Sequence, residues 1–86
     1  MTTQSKTVLI VDDDESTRDT LTAILKQDYR VLRASSGETA LPLLSRENVD
    51  LVLLDVRLPG ISGLELLRIL KENYSLAEVL MISARL

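Results

Sequence analysis

Three apolar runs in this chain each end in side chains that carry oxygen: Thr7 to Val11 leads into Asp12 and Asp13, Asp50 to Leu54 into Asp55, and Glu78 to Ile82 into Ser83. If the run ends meet, three carboxylates within a few ångströms force protonation or destabilise the fold unless a cation stands between them. The chain has no Cys and no His, which removes thiol nucleophiles, disulfides and the usual zinc ligand, so such a cation is held through oxygen. Mg²⁺ fits, because it takes few carboxylates, keeps several waters and accepts phosphate oxygens as further ligands. A carboxylate beside such a cation can attack phosphorus, and the product is an aspartyl phosphate. Spacing alone does not choose Asp55 over Asp12 for that role.

A plainer use competes for some of these acids. Four of the thirteen acidic residues form the run Asp12-Asp13-Asp14-Glu15. Acids just past a strand often serve as turn residues or helix N-caps, and they suit the positive end of a helix dipole. Asp14, Glu15 and Asp19 are assigned to that use. Asp12, Asp13 and Asp55 are assigned to chemistry, since three strand-end acids without a cation are costly. Ser83 taken alone is an unremarkable small residue.

The elements that must position these residues are legible from periodicity. The runs at Thr7 to Val11, Asp50 to Leu54 and Glu78 to Ile82 are nearly continuous in Val, Leu, Ile and Met, as in strands covered on both faces of a parallel sheet. Arg30 to Ala34 is a more polar strand that suits an edge. Helical spacing separates the runs. The first helix carries Leu21, Ile24 and Leu25 after Ser16-x-x-Asp19, which has the form of a capping box. The second spans roughly 37–46, and Pro42 inside it predicts a helix that is short, kinked or late to start. The third follows Ser62-x-x-Glu65, presents Leu66, Leu67, Ile69 and Leu70, and turns near Asn73 to Ser75. Strands alternating with helices over short connections predict right-handed βαβ units, and so an α/β fold with a doubly wound parallel sheet. In such sheets ligands bind at the carboxyl ends of the strands, where Asp12, Asp13, Asp55 and Ser83 would converge.

Composition narrows the setting. At 86 residues there is room for one small domain, here 1–86, and 45% hydrophobic with 27% charged residues describes a globular chain. A net charge of −3 without any Lys/Arg-rich block argues against nucleic-acid binding. No apolar run is long enough to cross a bilayer and the opening Met1 to Lys6 is polar, so a cytoplasmic location is expected.

The segments Val8 to Asp14 (VLIVDDD), Asp50 to Leu64 (DLVLLDVRLPGISGL) and Val79 to Ala84 (VLMISA) together resemble the receiver domains of two-component response regulators. Three motifs in order are far more specific than any one alone. The resemblance implies a flavodoxin-like receiver fold with strand order 2-1-3-4 and a phosphoacceptor module, not an enzyme in its own right. It makes Asp55 the acceptor, supplied by the phosphohistidine of a sensor histidine kinase or a histidine phosphotransfer protein. It assigns Mg²⁺ to Asp13 and Asp55 directly, to Asp12 largely through water, and to the backbone carbonyl of Arg57. Ser83 becomes the switch hydroxyl that binds a phosphoryl oxygen, with Ala84 as the small residue after it. Pro59, Gly60 and Gly63 become the loop between acceptor and third helix, where Pro fixes φ and Gly permits shapes closed to other residues.

The resemblance also implies that the family continues past Leu86 through a fourth helix, a fifth strand and a fifth helix, roughly 35 residues judged from mean element lengths. The sequence therefore corresponds to the amino-terminal portion of a receiver, and the family's Lys and aromatic residue of strand five have no counterpart in it. On that reading phosphoryl transfer is impaired, and Val79 to Ile82 form a naked apolar edge that drives self-association or instability. Two other functions compete. Asp12-x-Asp14 after an apolar strand resembles the nucleophile motif of haloacid-dehalogenase-type phosphatases, and a purely structural or oligomerisation fragment would leave the acidic site vestigial. A dinucleotide-binding fold lacks its Gly-rich turn.

Overall fold

The computed structural model describes residues 6–55, 57–58, 60, 62–74 and 77–82. The elements run β1 (Thr7–Val11), α1 (Glu15–Leu25), β2 (Arg30–Ala34), α2 (Gly37–Arg46), β3 (Leu51–Asp55), α3 (Gly63–Asn73) and β4 (Glu78–Ile82). All strand pairs are parallel, in the order β2-β1-β3-β4. This is the expected alternation, with the polar strand β2 at one edge. The third strand is shifted by one residue from the sequence expectation. It begins at Leu51 and ends at Asp55, which pairs with Ile82. Asp50 is used just before it, where its carboxylate accepts from Thr7 N at 2.8 Å.

Alternation along the strands divides the core in two. Leu9, Val11, Val52 and Leu54 face α2 and α3, meeting Ala40, Leu44, Leu66 and Leu70 in the larger cluster. Val8, Ile10 and Leu53 face the other way, where Leu21 and Leu25 of α1 pack against them. The central strands β1 and β3 are thus covered on both faces, which accounts for their unbroken apolar sequences. Cover on the α1 face is thinner: α1 has no buried residue, and Leu80 of β4 is 53% exposed.

Helix starts explain two departures from expectation. The first helix is capped by Asp14, whose Oδ1 accepts from Ser16 N at 2.9 Å, so Ser16 lies inside the helix and Ser16-x-x-Asp19 is not its capping box. Asp19 pairs instead with Arg33 of β2, at 2.6 Å. The second helix runs from Gly37 to Arg46 without interruption across Pro42. A capping box between Ser36 and Thr39 secures its first turn, and Ala40 and Leu44 anchor it in the core. Pro42, the sixth residue of the helix, leaves one bond to the preceding turn unmade, and burial of one face outweighs that loss. The third helix begins as expected, with Ser62 Oγ accepting from Glu65 N at 3.1 Å. On its exposed face Arg68 bridges Glu65 and Glu72, which hold its guanidinium more firmly protonated, the hydrogen bond to Glu65 contributing most.

Candidate functional site

The strand register brings the acids together. Val11 lies opposite Leu54 in the β1–β3 ladder, so the next residue on each strand, Asp12 and Asp55, emerge side by side at the carboxyl edge. The chain leaves β1 toward β2 on one side while β3 lies on the other, which makes this the switch point where open α/β sheets bind ligands. Asp12, Asp13 and Asp55 each place a carboxylate oxygen within 4.8 Å of the other two. Asp12 and Asp55 are buried, at 1% and 2% exposure, while Asp13 is exposed.

Each acid is held by its surroundings. Asp12 N donates to Ala34 O at 3.1 Å, continuing the sheet by one residue. Asp12 Oδ1 accepts from Asp14 N at 2.9 Å, and this turn sets up Asp14 as the cap of α1. Asp55 Oδ1 accepts from Arg57 N at 3.0 Å, so the loop after β3 orients the carboxylate. Arg18, which the sequence did not single out, donates from Nη1 to the carbonyl oxygen of Asp12 at 2.7 Å. Only its helical position, six residues after Asp12, could have hinted at this.

The expected site residues therefore fall into three groups. Asp12, Asp13 and Asp55 converge, and Arg57 follows in the adjoining loop. Gly60 has φ of +69°, a left-handed conformation natural to glycine, and the Glu38 carboxylate of α2 lies over it. Gly63 is different: it is the buried first residue of α3, and its φ is not positive. Pro59 and Ser83 lie outside the described residues. Asp14 is committed to its cap and is absent from the cluster, which removes the geometric basis for an Asp12-x-Asp14 phosphatase motif.

The donor set tests whether a metal fits. Three carboxylates, two from the loop after β1 and one from the last residue of β3, two of them buried, need a positive partner, and oxygen-only donors suit a hard cation such as Mg²⁺. The family model of the response regulator receiver domain matches residues 8–86. This chain belongs to that family. Receiver domains are phosphoacceptors rather than classical enzymes, they take phosphoryl groups from histidine kinases and they bind Mg²⁺ at an acidic site. The acidic cluster of this receiver domain matches that site. The receiver is 39% identical over 74 residues to the hydrogenase transcriptional regulatory protein HoxA of Cupriavidus necator, covering 86% of this chain and 15% of HoxA. It is 38% identical over 84 residues to the transcriptional regulatory protein YvrH of Bacillus subtilis, covering 95% of this chain and 35% of YvrH. The receiver domain thus spans about a third or less of these curated relatives. Among solved structures it is similar to the response regulator TrrA of Thermotoga maritima in complex with Mg²⁺ and BeF, with a TM-score of 0.86 and 36% identity over 93% of this chain and 70% of that one. Among the described residues of the receiver, no helix is long and apolar enough to cross a membrane.

Proposed function

We propose that Asp55 is the phosphoacceptor, and that Asp12, Asp13 and Asp55 with the backbone carbonyl of Arg57 bind Mg²⁺. The observation that carries this reading is the meeting of three carboxylates at the switch point, with the buried Asp55 at the end of a central strand. In the reaction, a carboxylate oxygen of Asp55 forms a bond to phosphorus while the phosphorus–nitrogen bond of a partner's phosphohistidine breaks and the imidazole leaves. The sheet holds Asp55 in place, and the Arg57 N–H sets the plane of its carboxylate before attack. A bound Mg²⁺ would neutralise charge that builds on the phosphoryl oxygens. Asp13 is the solvent-exposed member of the three, while Asp12 is buried beside Asp55. Ser83, directly after β4, is assigned the hydroxyl that binds a phosphoryl oxygen. Gly60, with its positive φ, shapes the loop between acceptor and α3, to which Pro59 is assigned by sequence position.

The test is mass spectrometry after exposure to acetyl phosphate with and without Mg²⁺. The expected result is one added phosphoryl group, dependent on Mg²⁺ and mapped to Asp55, and absent in Asp55→Asn. A phosphoryl group mapped to a residue other than Asp55, or one that persists in Asp55→Asn, overturns the assignment.

The partner in this reading is a sensor histidine kinase or histidine phosphotransfer protein in the cytoplasm, where ATP supplies the donor. Self-association through β4 is a second proposal. This strand pairs with β3 on one side only among the described residues, and its Leu80 is 53% exposed. An apolar edge of this kind offers backbone groups to a second copy.

A further inference from the structure

Arg18 reaches back from the second turn of α1 to the acidic loop that precedes the helix. Its Nη1 donates to the carbonyl oxygen of Asp12 at 2.7 Å, the short distance expected of a charged donor. The side chain is half-buried and its backbone is fixed in the helix, with Arg18 N donating to Asp14 O at 3.1 Å and Thr22 Oγ1 donating to Arg18 O at 2.7 Å. A cation this close to a helix N-terminus works against the macrodipole. Local helix energetics therefore do not explain the residue, whereas the contact with Asp12 does.

The carbonyl of Asp12 and the N–H of Asp13 belong to one planar peptide group. Holding that oxygen fixes the plane from which Asp13 departs. Two further hydrogen bonds fasten the loop on either side: Asp12 N on Ala34 O, and Asp14 N on Asp12 Oδ1. Asp13 is the exposed acid of the three and lies beyond the end of β1, so its placement depends on the loop. We propose that Arg18 is a positioning residue for the acidic site, holding the Asp12–Asp13 peptide so that the Asp13 carboxylate is preorganised to meet a divalent cation together with Asp12 and Asp55. The proposal rests on the reading of that cluster as a cation site.

Charge and positioning predict opposite signs, which makes the proposal testable. Arg18 is a positive group near a dication site, so by charge alone its removal strengthens cation binding. By positioning, its removal weakens binding, as loss of an outer-shell partner does. The experiment is calorimetric titration of the chain with MgCl₂, in the parent and in Arg18→Met, which keeps an apolar stem without donor or charge, and Arg18→Lys, which keeps a charged donor. Thermal melts of the metal-free proteins run alongside. The expected result is a loss of Mg²⁺ affinity on the order of tenfold in R18M, a smaller loss in R18K, and a shifted Asp13 amide resonance in metal-free R18M. If R18M does not fold, Arg18→Gln takes its place with the same expected loss. Unchanged or tighter Mg²⁺ binding in the folded neutral variant overturns the role of Arg18 while leaving the cation site standing. A parent chain that binds no Mg²⁺ overturns the cation reading and this proposal with it.

Discussion

At the scale of single residues, the acidic cluster balances cost against use. Two like charges about 4 Å apart repel by about 1 kcal/mol even at the dielectric of water. Asp13 is the exposed member, and its replacement by Asn relieves that repulsion without opening the core. Asp13→Asn is therefore expected to raise the stability of the metal-free protein by about 1 kcal/mol, or roughly 4–8 °C in Tm for a domain of this size. The same variant should bind Mg²⁺ more weakly than the parent. Melts with and without Mg²⁺ check both, and a metal-free variant less stable than the parent would show that repulsion is not the governing effect. Gly60 makes a second residue-scale case. Its φ of +69° puts a side chain in the left-handed region, where L-residues lose about 1–2 kcal/mol. Gly60→Ala should lose that much in urea unfolding, and the added Cβ would also displace the Glu38 carboxylate.

At the scale of elements, caps and burial decide where helices lie. Asp14 links site and helix, because its side chain caps α1 while its N–H holds Asp12 Oδ1. Asp14→Ala is expected to lose about 1 kcal/mol of stability, the usual effect of losing an N-cap. Pro42 tests the opposite direction. It has no N–H to give to the preceding turn of α2, and it is exposed, so Pro42→Ala should stabilise by about 1–3 kcal/mol. Chemical denaturation reads both variants, and a destabilised P42A would mean that proline's restriction of the unfolded chain outweighs its effect on the helix. The apolar face of α3 was clear from its spacing, and so was the Ser62 cap. The Asp14 cap was open to confusion because Ser16 and Asp19 lie at capping-box spacing, whereas in the structure Asp14 caps the helix and Asp19 pairs with Arg33.

At the scale of the whole molecule, cation binding and edge pairing both couple to stability. A ligand bound only by the folded state stabilises it with concentration, by about 2.7 kcal/mol at a hundredfold excess over Kd. The Tm of the chain is expected to climb with Mg²⁺ and to fall back when a chelator removes it. The β4 edge predicts concentration-dependent sedimentation, and Leu80→Lys, which puts a charge on that exposed position, should return the chain to a monomer. A concentration-independent monomer in the parent would sink that proposal.

The sequence by itself determined the order of strands and helices, the parallel α/β class, the acids that end the strands and the absence of Cys and His as metal ligands. These are local properties, set by periodicity and residue type within a few positions. Only the tertiary structure decided the register that sets Asp12 beside Asp55, the use of Asp50 to hold Thr7 from 43 residues away, and the exposure of Leu80. It also decided that Arg18 turns back onto Asp12 and that Glu38 covers Gly60. Each of these depends on where one element packs against another, and no local pattern carries that information.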